Sequence, residues 1–292
     1  MISVYATNTH ELHAYDEMNP ESPERITAIL EALRPLILRG QVKIHRFNEP
    51  ISHLERDTGP PWLLKDGDTY CTPYTTKVLL KTKEMIDAAC LNIAGGRTGC
   101  AYVLCRPPGH HASPGIRSGF CHENNVATAV GFLKEHGVSN IAIYDFDVHH
   151  GDGTQRWLES QKTRSYDGVR FASTHAYGRN VYPYSGLPTS DSRILNVPLP
   201  VGTEESAFLK AFRELILPFL GRPEVLILSA GYDAHRDDPM KLMKLSTETY
   251  RIMGQLLREL NVPVLWLLEG GYNCDVLGEC VVASLSPWLL AN

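Results

Sequence analysis

A chain of 292 residues with 43% hydrophobic and 21% charged residues can bury most of its apolar surface in a globular core, which excludes a need for disulfides or metal staples to fold. Its formal charge of −5 argues against a nucleic-acid partner, because neutralising phosphates takes a basic surface, and it suits a basic substrate. Seven cysteines, an odd number without CxxC spacing, read as reduced thiols rather than a secreted framework.

In chain order the first predicted strand, Ile2–Ala6, follows Met1 directly. It is too short for a signal-peptide apolar region, and no later run approaches the roughly 20 residues that cross a bilayer, so the expected location is a reducing cytoplasm, or a nucleus in a eukaryote, with no membrane partner. Ser22-Pro23-Glu24 and Thr72-Pro73 each offer a capping hydroxyl followed by proline at the first helical position, and Gly95-Gly96 stops the second of these helices. Apolar runs at Ala101–Cys105, Ile141–Phe146, Arg170–Thr174, Val225–Ser229 and Val264–Leu268 alternate with amphipathic stretches. Continuous apolar strands separated by helices indicate an α/β fold, a mainly parallel central sheet with helices on both faces. No repeat, low-complexity tract or linker divides the chain, so residues 1–292 are expected to form a single domain.

Open parallel sheets hold their ligands beyond the carboxyl ends of the strands. Five runs carry polar clusters there: Arg106–His111, Asp145–Asp152, Ser173-Thr174-His175, Asp233 and Glu269–Tyr272. Asp145, Asp147 and His149 are spaced by two, so on an extended strand they project from one face. A lone Asp-x-His is more often a turn or a surface pair, but Asp233 supplies a third carboxyl group from another strand end. Two carboxylates and one imidazole suit Zn²⁺ and leave a coordination position for a reactive water. Adjacent His110 and His111 read as a loop pair if alone; with Asp152 and a strand-end aspartate to orient them they become an acid–base pair. Tyr272 is either a capped core aromatic or, on the Gly270-Gly271 turn of a zinc site, the donor to a developing oxyanion.

Taken together, Arg106–Ala112, Gly119-Phe120-Cys121, Tyr144–Gln155, Ser229–His235 and Leu268–Tyr272 resemble the signature blocks of histone deacetylases and bacterial acetylpolyamine amidohydrolases, class II-like, in family order and over almost the whole chain. The resemblance implies the arginase/deacetylase fold. It implies Zn²⁺, with Fe²⁺ as the alternative, on Asp147, His149 and Asp233. It makes His111, paired with Asp152, the general base and then acid, and His110, paired with Asp145, its electrostatic partner, while Tyr272 polarises the scissile carbonyl. Phe120 and Tyr182 would wall an acyl-lysine tunnel, Gly119 would offer its carbonyl to the substrate amide, and Arg25 resembles the arginine of an internal channel. A structural K⁺ is implied on Asp145, Ser173 and main-chain oxygens of Asp147, His149 and Thr174.

Two other readings compete. A binuclear manganese ureohydrolase would need further carboxylates where Gly151 and Gly231 stand, and a silent module binding acylated partners would lack Tyr272 or one histidine of the pair. For the substrate, Met240 follows Asp237-Asp238-Pro239, where a polyamine specialist would carry a carboxylate. Its apolar side chain favours an acyl-lysine in a peptide or protein. Asp68 is expected to hold substrate backbone amides, and acidic Asp237 and Glu17 keep an acylated polyamine open.

Overall fold

The computed structural model describes residues 1–15, 19–50, 62–64, 66–163 and 166–289, so Glu17 lies outside it. In chain order, α1 (Glu24–Leu38) joins β1 (Ile2–Ala6) to β2 (Val42–Arg46), and a short antiparallel ribbon of β3 (Trp62–Leu63) and β4 (Tyr70–Cys71) precedes α2 (Thr75–Ala94). Then come β5 (Cys100–Val103), α3 (Asn125–Glu135), β6 (Ile141–Asp145), α4 (Asp152–Ser160), β7 (Val169–Tyr177) and β8 (Ile194–Pro200). The last third holds β9 (Thr203–Glu204), α5 (Glu205–Ala211), a π-helical turn at Phe212–Ile216, α6 (Leu217–Leu220), β10 (Val225–Ala230), β11 (Met243–Lys244), α7 (Thr247–Glu259), β12 (Val264–Leu268) and α8 (Cys274–Leu289).

Eight of these strands form one sheet in the order β2-β1-β5-β12-β10-β6-β7-β8, and every neighbouring pair is parallel. A parallel sheet needs crossovers, and the crossovers cover both faces. Alternation along each strand divides the core accordingly. Trp266, Tyr144 and Leu226 face α1, α7 and α8, while Leu265, Ile143 and Ile227 face α2, α3 and α4. Each such fully buried side chain contributes roughly 1.5–3 kcal/mol. All seven cysteines are free thiols, in keeping with the reduced state expected.

The sheet has two strands that the sequence reading lacks, both at its edges. β2 carries Lys43, His45 and Arg46, and β8 carries Pro198 and Pro200. Charge and proline are tolerated only where one side of a strand goes unpaired, and they erase the apolar run that identifies a central strand. The helix starts also shift: α1 begins at Glu24 and α2 at Thr75, neither with a side-chain cap at its N-cap residue, whereas Gly95 ends α2 as expected. A further correction concerns the site. β6 stops at Asp145, so Asp147 and His149 lie in the bends beyond it rather than on an extended strand.

On the α7–α8 side the helices touch at glycines: a Cβ at Gly254 would run into the Ser284 carbonyl of α8. Gly254→Ala is therefore expected to lose about 1–3 kcal/mol by overpacking. Gly131→Ala in α3, where a Cβ meets nothing within 4 Å, is expected to gain about 0.5–1 kcal/mol. Urea unfolding of the two variants checks both signs.

Candidate active site

The site is assembled from the segments that leave four adjacent central strands, β5, β12, β10 and β6. Beyond β6 the backbone is folded back by its own carboxylates. Asp145 Oδ1 accepts the Asp147 N–H at 3.2 Å, and Asp147 Oδ1 accepts the His149 N–H at 2.9 Å. Beyond β10, Asp233 Oδ1 accepts the Val148 N–H at 2.9 Å; beyond β12, the Gly270 N–H donates to Asp147 Oδ2 at 2.8 Å. These bonds, not strand alternation, bring Asp147, His149 and Asp233 together, with ligand atoms within 4.8 Å of one another.

His149 Nδ1 lies 3.1 Å from Asp147 Oδ1 and 3.1 Å from Asp233 Oδ2, and this last oxygen, fully buried, has no well-aimed hydrogen bond. Burial works against a charged His149, yet the two carboxylates push it up to about 10. Burial and then Asp147 raise Asp233 to about 7. Two buried carboxylates thus share one imidazolium proton, a weak substitute for a divalent cation, and the donor set fits zinc. Glycine is required around it. A Cβ at Gly231 would collide with Asp147, and one at Gly270 would reach within 2.6 Å of the Asp147 and Asp233 oxygens.

The histidine pair follows β5. Glu269, buried at the end of β12, accepts the Gly109 and His110 N–H groups through Oε2 at 2.7 and 3.1 Å, and the Ser229 hydroxyl through Oε1 at 3.0 Å. His110 Nδ1 meets Asp145 Oδ2 at 3.0 Å, and His111 Nδ1 meets Asp152 Oδ1 at 2.7 Å. The environments of the two rings, 4.0 Å apart, differ. Burial disfavours a charged His110, but Asp147 and Asp145 raise it well above the usual range, whereas burial and then the neighbouring His110 push His111 down to about 3. One histidine is held cationic and the other neutral, with its outer nitrogen able to take a proton. His110, Cys121 and Glu269 also converge, but the Glu269 oxygens, His110 Nδ1 and the Cys121 thiol already have the partners named above or, for Cys121, the Gly119 carbonyl at 3.3 Å.

Tyr272 stands on the loop after β12. Asp238 Oδ2 accepts its N–H at 2.7 Å, the Phe120 ring lies 5.9 Å away, and the Arg25 guanidinium lies 5.0 Å from its ring centroid. Burial and the charges of Asp233 and Asp147 raise the phenol well above its usual range, so it stays protonated as a donor. Arg25, fully buried, donates to Gly271 O at 2.7 Å and to Glu269 O, and pairs with Glu21 at 3.1 Å; Arg106 pairs with the same Glu21 oxygen at 2.9 Å. Tyr182 packs on His111 at 4.9 Å between ring centroids, and Gly119, at φ 55°, leaves no room for a Cβ against His111 and Tyr182. Asp68 lies in the Asp66–Thr69 turn with the Gly119 amide among its partners, and burial and then Asp66 raise it to about 6. Met240, half-buried, reaches this region through Asp238, whose Oδ1 accepts its N–H at 3.0 Å. Ser173 is the register partner of Asp145, but its hydroxyl bonds His175 Nδ1 at 2.9 Å. Thr174 turns its hydroxyl to Tyr144 at 2.9 Å.

Three supporting residues escaped the sequence reading. Glu269 was legible only as part of a motif, Asp238 only as a rim neighbour. Arg156, which pairs with Asp152 and donates to His111 O at 3.1 Å, had a signal in its i,i+4 spacing from Asp152 on α4.

The family model described as the histone deacetylase domain matches residues 19–287. The chain belongs to the histone deacetylase family. Among relatives of this family, histone deacetylase 10 of Oryza sativa subsp. japonica is 32% identical, the match covering 94% of this chain and 70% of that one. Acetylpolyamine amidohydrolase 1 of Pseudomonas aeruginosa is 34% identical over 61% of this chain and 52% of its own. The crystal structure of the HDA15 HD domain superposes with a TM-score of 0.87 at 28% identity, covering 99% of this chain and 88% of that one. The α/β arginase/deacetylase fold of this deacetylase family is thereby the fold of this chain.

Zinc added to metal-free protein is expected to bind at one ion per chain. Asp233→Ala, which removes the unpartnered oxygen, is expected to abolish that binding while the fold persists, as read by equilibrium dialysis with elemental analysis and circular dichroism.

Proposed function

We propose that the chain is a zinc-dependent amidohydrolase that removes an acyl group, principally acetyl, from the side-chain amine of an acyl-lysine in a peptide or protein, with residues 1–292 acting as one catalytic domain. The observation that carries this reading is the convergence of two carboxylates and an imidazole on one point, with His111, bonded to Asp152, 6.1 Å from the His149 ring. Asp147, His149 and Asp233 would hold the ion, which when bound supplies the Lewis acidity that acidifies water and polarises a carbonyl. His111 Nε2 takes the proton of the attacking water, while Asp152 holds Nδ1–H and so fixes the tautomer. Tyr272 donates its hydroxyl as negative charge gathers on the carbonyl oxygen, and cationic His110 adds a fixed positive charge beside it. His111 then returns its proton to the departing amine. Potassium on Asp145, Ser173 and the Thr174 main chain would offset the buried charge of Asp145, which burial raises to about 6 against the pull of His110.

A binuclear manganese site gains no support, since a side chain at Gly151 would run into Asp145 and one at Gly231 into Asp147. An acylated polyamine is the second reading, favoured by the likeness to the Pseudomonas enzyme and by exposed Asp237. Met240, whose apolar side chain offers nothing to a second ammonium group, supports the lysine reading over it.

Two measurements test these proposals. Tyr272→Phe is expected to keep its metal and lose about 10²–10³ in kcat, the worth of one oxyanion donor; unaltered kcat removes Tyr272 from the mechanism. Comparison of kcat/KM for an acetyl-lysine peptide, N-acetylputrescine and N8-acetylspermidine is expected to favour the peptide, and a polyamine preference of about tenfold, equivalent to ~1.4 kcal/mol, overturns that choice.

A further inference from the structure

On one side of the site the segment from Val181 to Leu187 is fastened at nearly every residue. The Tyr184 N–H donates to Val181 O at 3.0 Å, Ser185 Oγ bonds His150 Nδ1 at 2.8 Å, His175 Nε2 bonds Gly186 O at 3.1 Å, and Asn196 Nδ2 donates to Leu187 O at 3.0 Å. His150 directly follows the donor His149, so this loop is pinned to the backbone that carries the metal-binding cluster.

Within it, Tyr184 has a φ of 64°, the left-handed region that a bulky side chain rarely occupies. Its ring is 69% exposed, so hydrophobic burial does not compensate that backbone, and Leu187 beside it is 57% exposed. Tyr184 projects next to the residue expected to wall the tunnel: its ring meets Tyr182 edge to face at 6.4 Å, and Tyr182 in turn lies 4.9 Å from His111 and 6.3 Å from His149. A strained, rigidly held and solvent-facing aromatic is what a fold retains for contact with a ligand rather than for its own stability.

We propose that Tyr184 is a specificity-determining residue that, with Leu187, grips the peptide flanking an acyl-lysine whose side chain enters past Tyr182. This inference rests on the acyl-lysine reading above and adds where the peptide lies. An aromatic face next to an aliphatic side chain offers a stacking surface to peptide planes and apolar residues, and it is pre-formed, so little ordering is needed on binding. Leu187 offers nothing to a bare ammonium group, which separates this surface from one built for a polyamine.

The test compares the 292-residue chain with Tyr184→Gly and Tyr184→Phe on an acetyl-lysine pentapeptide, on a single acetyl-lysine blocked at both ends, and on N-acetylputrescine. Glycine suits the left-handed backbone, so Tyr184→Gly is expected to fold with a Tm no lower than the parent's. Its KM for the pentapeptide is expected to rise about fivefold at unchanged kcat, with the single-residue substrate altered by less than about twofold and Tyr184→Phe behaving as the parent. Equal effects on both lysine substrates, no effect on the pentapeptide, or an effect confined to N-acetylputrescine overturns the proposal while the deacetylase reading stands. A parent chain inactive on both lysine substrates overturns the acyl-lysine reading and this inference with it.

Discussion

Four carboxyl groups, those of Asp145, Asp147, Asp233 and Glu269, lie at most 1% exposed along the carboxyl edge of the parallel sheet, and the need to compensate them organises the rest of the site. Isolated buried charge is untenable, so each group must collect donors or cations. Glu269 collects two backbone N–H groups and a hydroxyl, and its acidity is weakened by burial, to about 7, despite the pull of His110. Asp145 takes a histidine, and Asp147 takes two main-chain amides and the His149 imidazole. Asp233 is left with one oxygen that main-chain donors do not reach. The charge that hydrogen bonding leaves unbalanced is therefore concentrated at Asp233, beside Asp147 and His149.

The same compensation dictates which loops meet. A carboxylate at the end of one strand binds the backbone leaving another: Asp233 from β10 holds Val148 after β6, and Glu269 from β12 holds Gly109 and His110 after β5. The side chains proposed to be catalytic therefore stand on segments cross-braced by the very acids that define the site, and main-chain bonds would supply the precision that proton transfer needs.

What could be read from the sequence follows this division. Central strands such as Val264–Leu268 and Val225–Ala230 are buried throughout and almost wholly apolar because both faces are covered, and that leaves a plain signal. Edge strands β2 and β8 leave none, since their composition answers to solvent on one side. That Asp147, His149 and Asp233 would converge was legible from residue type and from position at strand ends, whereas the geometry that gathers them was not: a period of two suggested an extended strand, and the chain instead bends at Asp147. Glu269 and Asp238 act on backbone atoms remote in sequence, so nothing in their local pattern marks them, and of the contacts Arg156 makes only the one to Asp152 has a local signature. Tyr184 and Phe120 are likewise silent, because neither residue type announces a positive φ.

Arg25, near the start of the chain, donates to the carbonyls of Glu269 and Gly271, separated from it by 244 and 246 residues. Such contacts close very long loops, and their entropic cost is met only when both segments have been made. During synthesis the strands of β1 through β10 can be laid down while the tyrosine loop is still inside the ribosome, its arginine held by the nearby Glu21 alone among the contacts described above. Until Glu269 and Gly271 have been made, the two carbonyls that fix this guanidinium in the fold are missing.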